Sequence, residues 1–355
     1  MNRVQELTKR MYTLSMDGVL ISSKYNRRYL SDFTGSSGYL LITDQGRYLL
    51  TDFRYIEQAT AQSPEFQIIN YFEKGLVETI SDLISEARIN NLGYEDTTLT
   101  VKEFNHLSSA IDQCNWSGIG NMVEQIRMIK DANEIKKIRH AASIGDAAFS
   151  HILKVIKPGI REIDVALELE YFMKKQGASK LSFDTIVASG KRSSLPHATP
   201  TEKTIEKGDF VTMDFGCIYE GYCSDMTRTI VVGQASERQR EIYNLVLKAQ
   251  LNALEHIKSG IIGKDADALA RQIIDDAGYR ANFGHGLGHS LGLEVHEQPR
   301  FSLLSEEVIL TGMVMSVEPG VYIPDFGGVR IEDLVLITQD GIDNFVSSSK
   351  ELIEL

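Results

Sequence analysis

The chain is predicted to fold as a smaller α/β unit followed by a larger α+β domain, whose core is a curved, largely antiparallel sheet covered by helices. Three observations lead there. Residues 1 to about 120 alternate short apolar runs with helical patterns, the arrangement that builds a compact α/β unit. From residue 131 onward, helices and strands come in groups rather than in strict alternation, which favours α+β. The length of 355 residues fits two domains at roughly 100–200 residues each, and either half is long enough to bury its own core.

The elements follow in order. Val4, Leu7, Met11 and Leu14 recur near helical spacing and predict a helix over residues 2–16. Apolar runs at 18–22, 38–43 and 48–51, bounded by Gly, Asp and Ser, read as strands. Helical patterns cover 53–62 and 75–88, and a short strand covers 91–94. The stretch Asn115 to Asn121 is loop-like and carries the only Trp, so it marks the boundary; the domains are predicted as 1–122 and 123–355. Asp131 with Glu134 forms a capping-box pattern that opens a long helix striped by Ile135, Ile138, Ala142, Phe149 and Ile152. Further helices are predicted from 162 to 176, stopped by Gly177, from Ser236 to before Gly260, and over 265–276, stopped by Gly278. Strand-like runs lie at 183–188, 209–217, 224–232, 313–318, 321–323 and 330–338.

Composition narrows the function. A net charge of -12 disfavours nucleic acid and anionic membrane as partners, since their phosphates would be repelled. No stretch approaches the ~18 apolar residues of a membrane span. The N-terminus lacks the apolar segment of a signal peptide. Cys114, Cys217 and Cys223 form no Cys-x-x-Cys pair and read as reduced thiols, so a cytoplasmic location is expected.

Five segments hold the chemistry. Val211, Met213, Phe215 and Cys217 fall on one strand face, so Asp214 points to the other. The chain turns near Tyr219-Glu220-Gly221, and a hairpin centred there sets Asp214 opposite Asp225 within a residue. Two carboxylates that close repel each other unless a cation lies between them; the alternative is that both are solvated on an exposed face. His285, His289 and His296 cluster in a run interleaved with Gly284, Gly286 and Gly288, whose freedom allows tight turns that bring imidazoles inward. Those glycines argue against a helical His-x-x-x-His zinc motif. Glu318 and Glu332 each sit beside apolar runs, where a buried acid is expensive unless paired or metal-bound. Four carboxylates with one to three imidazoles suit a pair of ions such as Mn²⁺, Co²⁺, Fe²⁺ or Zn²⁺, and hydrolysis is the natural reaction class.

The ordered set Asp214-Phe215-Gly216, Asp225-Met226-Thr227-Arg228, Gly284-His285-Gly286-Leu287-Gly288-His289, Glu318-Pro319-Gly320 and Arg330-Ile331-Glu332-Asp333 resembles the Xaa-Pro peptidase family, prolidase and aminopeptidase P, within peptidase family M24. Tyr29 to Ser36 and Leu50 to Tyr55 resemble its N-terminal domain, and Arg127 to Ala142 the entry to its catalytic domain, so the likeness covers almost the whole chain. It implies a pita-bread catalytic domain preceded by a creatinase-like N-terminal domain. It implies two divalent ions, with manganese expected, on Asp214, Asp225, His289, Glu318 and Glu332. Asp225 and Glu332 would bridge both ions, Asp214 would bind one, and His289 and Glu318 the other. Glu318 would also act as general base. His197 would bind the scissile carbonyl oxygen and His296 would lie near the leaving proline, while His285 and Arg330 would line the substrate pocket. No ligand of that pattern is missing.

The bond before proline is a tertiary amide without an N–H, which a site that grips the carbonyl through metal can still cleave. The expected substrates are Xaa-Pro dipeptides or short peptides, with dipeptides preferred over the longer chains of aminopeptidase P, and the expected assembly is a homodimer. Creatinase shares both domains but lacks the full ligand set, methionine aminopeptidase lacks the first 120 residues, and a non-catalytic binding module would have lost its ligands.

Overall fold

The computed structural model describes residues 3–355, and the chain divides into two compact units, Met1–Arg127 and Met128–Leu355. The first is built on a mixed six-stranded sheet in the order Gln67–Asn70, Arg47–Thr51, Tyr39–Thr43, Gly18–Ile21, Asn91–Tyr94 and Asn115–Gly118. The central strand Gly18–Ile21 is buried throughout, as an apolar run covered on both faces should be. Ile80, Leu83 and Ile84 of the helix Leu76–Glu86 pack on Leu20, Leu41, Leu50 and Leu92 of the sheet.

Two expectations for this unit are corrected. Asn115–Gly118 is not a loop but an edge strand, paired in parallel with Asn91–Tyr94. Its side chains are mostly exposed, so no apolar alternation marks it, and Asn, Ser and Gly read as turn formers. Trp116 anchors it: the indole N–H donates to the Ile111 carbonyl at 3.1 Å, and the ring meets Tyr94 and Phe104 edge-on. The helix Met122–Arg127 also belongs to this unit, so the division falls after Arg127 rather than after residue 122. Asn26 joins them, its side-chain amide donating to Glu124 at 2.6 Å and its carbonyl accepting from Arg127 at 2.8 Å. The helices Lys24–Ser31 and Val101–Ala110 and the strand Gln67–Asn70 add elements the pattern did not show. In Val101–Ala110 only Leu107 is buried, too few to mark a helical stripe.

In the second unit the helices Ala132–Ile152, Glu162–Lys175, Glu237–His256 and Gly263–Asp276 lie where the sequence places them. Both capping boxes form, Asp131 with Glu134 and Ser236 with Gln239. Every pairing between its named strands is antiparallel. One sheet has Phe210–Phe215 between Met226–Val231 and Ile186–Ser189. Another runs Glu297–Phe301, Gly288–Ser290, Val314–Val317, Asp333–Ile337 and Ile342–Asn344. Helix residues Ile242, Val246 and Ala253 share one core with Met315, Val317 and Val335 of the sheet.

Register departs from expectation at one place that matters. Asp214 pairs with Thr227, not with Asp225. The turn is tighter than a hairpin centred on residues 219–221 would make it: Tyr219 pairs with Tyr222, and Ile218 with Cys223. Continuing that register sets Asp225 across from Gly216, where a Cβ would collide with the Ser224 carbonyl oxygen. The two acids are therefore diagonal neighbours on one sheet face, a spacing of about 7–8 Å between Cα atoms, which leaves room between carboxylates that direct opposition would not.

Candidate metal centre

Each acid arrives on a different strand or strand end. Asp214 lies in the middle strand of the three-stranded sheet, flanked by Thr227 and Ile186. Asp225 precedes Met226–Val231, Glu318 follows Val314–Val317, and Glu332 sits between Gly327–Arg330 and Asp333–Ile337. His289 is central in Gly288–Ser290. Asp225, His289 and Glu332 are buried, and each offers a ligand atom within 4.8 Å of the others. The His289 Nε2 lies 3.4 Å from Glu318 and 3.7 Å from Asp225.

The His289 ring is held for such a role. Its Nδ1 lies 3.1 Å from the Ser290 carbonyl; a carbonyl only accepts, so Nδ1 carries the proton and Nε2 presents its lone pair to the acids. Burial, reinforced by the neighbouring His296, pushes His289 down to about 4, so the imidazole is neutral. The strand can lie this deep because residue 288 is glycine: a Cβ there would overlap the Ser316 carbonyl oxygen. Gly288→Ala is expected to force the strand outward, at about 1–3 kcal/mol in stability, and to weaken divalent-ion binding at His289. A melt and an ion titration check both, and unchanged values would contradict the packing argument.

The acids are electrostatically frustrated as they stand. Burial, then Glu332, Asp214 and Glu318, holds the Asp225 carboxyl well above its usual range. Burial, then Glu318 and Asp214, does the same to Glu332. Burial lifts Glu318 to about 7. Asp214 Oδ1 and Glu332 Oε1 are buried without a hydrogen-bond partner, although the second oxygen of each is satisfied, by Arg330 at 2.6 Å and by the Thr227 hydroxyl at 2.7 Å. Orphaned carboxyl oxygens facing a neutral imidazole fit divalent cations, which take such oxygen ligands.

A cleft of about 450 Å³ opens on this cluster, lined by Asp214, Asp225, His289, Glu318 and Glu332 together with His197, His285, His296, Arg300 and Arg330. All nine residues singled out from the sequence therefore meet in one cavity. His197 and His296 are exposed on its wall, and the His296 ring lies 4.4 Å from that of His289. His285 is set further back: its Nε2 meets the Tyr322 hydroxyl at 2.8 Å, and burial pushes it down to about 4. Arg330 is buried, donating to Asp214, to the Tyr322 hydroxyl at 2.8 Å and to the Thr227 hydroxyl at 3.0 Å. It braces Asp214 rather than offering its charge to the cleft. A larger cavity, about 670 Å³, lies in the first unit between Leu76–Glu86 and Val101–Ala110, away from this chemistry.

Residues to which the sequence assigned no role in the site include Thr227, named only as part of a motif, and Tyr322 and Arg300. Thr227 had a signal, since strand alternation places it on the same face as Asp225. Tyr322 and Arg300 had none beyond closeness in sequence to Glu318 and His296.

Fold and cleft together define the class, a pita-bread metallopeptidase with a separate N-terminal domain. Residues 136–339 match the model of metallopeptidase family M24, and residues 3–129 match that of the creatinase/prolidase N-terminal domain. The chain belongs to metallopeptidase family M24, which implies divalent metal ions. It is 40% identical over 356 residues to the Xaa-Pro dipeptidase of Pyrococcus horikoshii, covering 99% of this chain and 98% of that protein. Among solved structures it resembles an Xaa-Pro dipeptidase from Bacillus anthracis, with a TM-score of 0.97 and 47% identity over 99% of both chains. It also resembles an X-Pro aminopeptidase from Thermotoga maritima MSB8, with a TM-score of 0.93 and 36% identity over 98% of this chain and 100% of that one. No helix among the described residues is long and apolar enough to cross a membrane.

Proposed function

We propose that this protein is an Xaa-Pro dipeptidase that works with two divalent metal ions held by Asp214, Asp225, His289, Glu318 and Glu332. The observation that carries the reading is the convergence of these five side chains in one cleft, with orphaned oxygens on Asp214 and Glu332. Their oxygen-rich set with one imidazole suits manganese, with cobalt, iron or zinc as alternatives. Bound there, such ions polarise the scissile carbonyl and make a water acidic enough to be a nucleophile near neutral pH.

The chain's own groups supply the rest. Glu318, already poised near neutrality by burial, takes and returns the proton at its carboxylate oxygen. His197 donates a hydrogen bond to the carbonyl oxygen as charge develops there, and His296 faces the proline being released. His285 and Arg330 hold the Tyr322 hydroxyl and Asp214 in place behind the cleft.

Arg300 favours dipeptides. It lines the cleft and is exposed, so its guanidinium is placed to meet a substrate carboxylate. In a dipeptide that carboxylate sits on the proline itself; in a longer peptide it is displaced. The second reading, an aminopeptidase acting on longer peptides, draws on the likeness to the Thermotoga protein.

The test compares release of free amino acid from Ala-Pro and Ala-Pro-Ala by chelator-stripped protein restored with Mn²⁺. Cleavage of Ala-Pro alone supports the proposal, cleavage of the tripeptide supports the second reading, and no metal-dependent cleavage of either sinks both. Arg300→Ala is expected to raise KM for Ala-Pro about 10-fold or more, the ~1.5–3 kcal/mol of a charge-assisted hydrogen bond, with kcat less affected. An unchanged KM would remove Arg300 from recognition. The three free thiols support a cytoplasmic location, and light scattering at twice the 39.7 kDa chain mass would support a homodimer.

A further inference from the structure

Lys130 lies outside the cleft, yet its ammonium is almost wholly buried, with 1% of the side chain exposed. It donates to the Ser290 hydroxyl at 3.1 Å and to Glu297 at 3.2 Å. These two residues directly follow His289 and His296, the two imidazoles that face each other across 4.4 Å.

Their placement in the sheet gives the contact its meaning. His289 pairs with Arg300, but Ser290 pairs with Glu297, so one step along the first strand takes up three along the second. The ladder is broken between the histidine and its neighbour, and a bulge of this kind leaves local orientation to side-chain contacts. Lys130 bonds both members of the first pair beyond the break. Glu297 passes the constraint on, its other oxygen accepting the Glu294 backbone N–H at 3.2 Å, which ties down the turn leading to His296. Lys130 is itself fixed: its backbone N–H donates to the Gly312 carbonyl at 2.9 Å, and the helix after it is capped by Asp131 and Glu134.

A buried ion pair is a poor means of gaining stability, because removing two charges from water offsets most of their attraction. What it does provide is direction. We propose that Lys130 is a positioning residue for the metal centre: through Ser290 and Glu297 it sets the geometry of His289 and His296 relative to one another, and so governs ion affinity and turnover. This rests on the metal-centre reading of His289.

The test uses the full-length protein in two forms, Lys130→Met and Lys130→Met with Glu297→Gln. The second removes both charges of this ion pair, so that neither Lys130 nor Glu297 is left as the unpaired half of it. Divalent-ion affinity is measured by calorimetry on chelator-stripped protein, alongside the melting temperature and kcat on Ala-Pro. The expected result is that the double variant melts close to the wild type, yet binds Mn²⁺ about 10–100-fold more weakly, the usual effect of disturbing groups that orient a ligand, and loses a comparable factor in kcat. Should Lys130→Met alone not fold, the double variant carries the test. Wild-type ion affinity and turnover in a folded double variant would overturn the proposal and leave the pair a packing feature. A wild-type protein that binds no divalent ion would instead defeat the metal-centre reading.

Discussion

Glu318→Gln is expected to lower kcat on Ala-Pro by about 10²–10⁴-fold, the range that a positioned proton-transfer group contributes, while leaving the fold intact. Gln is nearly the same shape, and the Ser316 hydroxyl, which donates to Glu318 Oε1 at 3.1 Å, can donate equally to an amide oxygen. The backbone anchor is untouched, because the residue's N–H donates to the Leu287 carbonyl at 2.8 Å whatever the side chain. The substitution also removes one acid from a cluster in which burial and mutual repulsion already raise Asp225 and Glu332. The metal-free variant should therefore melt no lower than metal-free wild type. A melt paired with amino-acid release decides it: turnover within 10-fold of wild type would remove Glu318 from the mechanism, and a collapsed melt would make the loss uninterpretable as chemistry.

Restoring Mn²⁺ to chelator-stripped protein is expected to raise the melting temperature by about 5–10 °C at 100-fold excess over the dissociation constant. One such site contributes ~2.7 kcal/mol, and a domain of this size shifts roughly 2–4 °C per kcal/mol. The same titration at pH 7 in weak buffer should release protons, since burial lifts Glu318 to about 7 and a cation beside it favours the ionised form, with Asp225 and Glu332 shifted in the same upward direction.

The sign for stability follows from the same groups. The folded pKa of Glu318 lies above the unfolded one, so the stability it contributes is fully present below the ordinary carboxylate range and is lost as pH rises through about 7; Asp225 and Glu332 are shifted in the same direction. His285 and His289, lowered to about 4, pull the other way, but only as pH falls below their ordinary 6.5. Metal-free protein should thus melt lower at pH 8 than at pH 6.5, and bound metal should erase the difference. Melts that ignore both metal and pH, with no proton release, would mean that the acids are not a cation site.

The amino-acid sequence by itself determined what depends on near neighbours. The helices beginning at Ala132 and Glu237 were legible because apolar residues recur at 3.6-residue spacing behind Asp131–Glu134 and Ser236–Gln239, and both signals lie within a few turns of the chain. Alternation alone set Asp214 on the face away from Val211, Met213 and Phe215. The acids and histidines stood out because such groups are costly beside apolar runs, and their order along the chain carried the family resemblance. Tertiary structure decided what depends on pairing and closure. It placed Asp214 against Thr227 rather than Asp225, because the tight turn at Tyr219–Tyr222 sets the register and no side-chain pattern encodes where a turn closes. It made an edge strand of Asn115–Gly118, whose exposed side chains carry no period. It turned Arg330 inward to brace Asp214 and left Arg300 facing the cleft, although both are arginines beside site residues. It also buried Lys130 against Ser290 and Glu297, on two paired strands from which it is separated by more than 150 residues of chain. A contact across that distance is fixed by how the whole sheet packs, and no local window contains it.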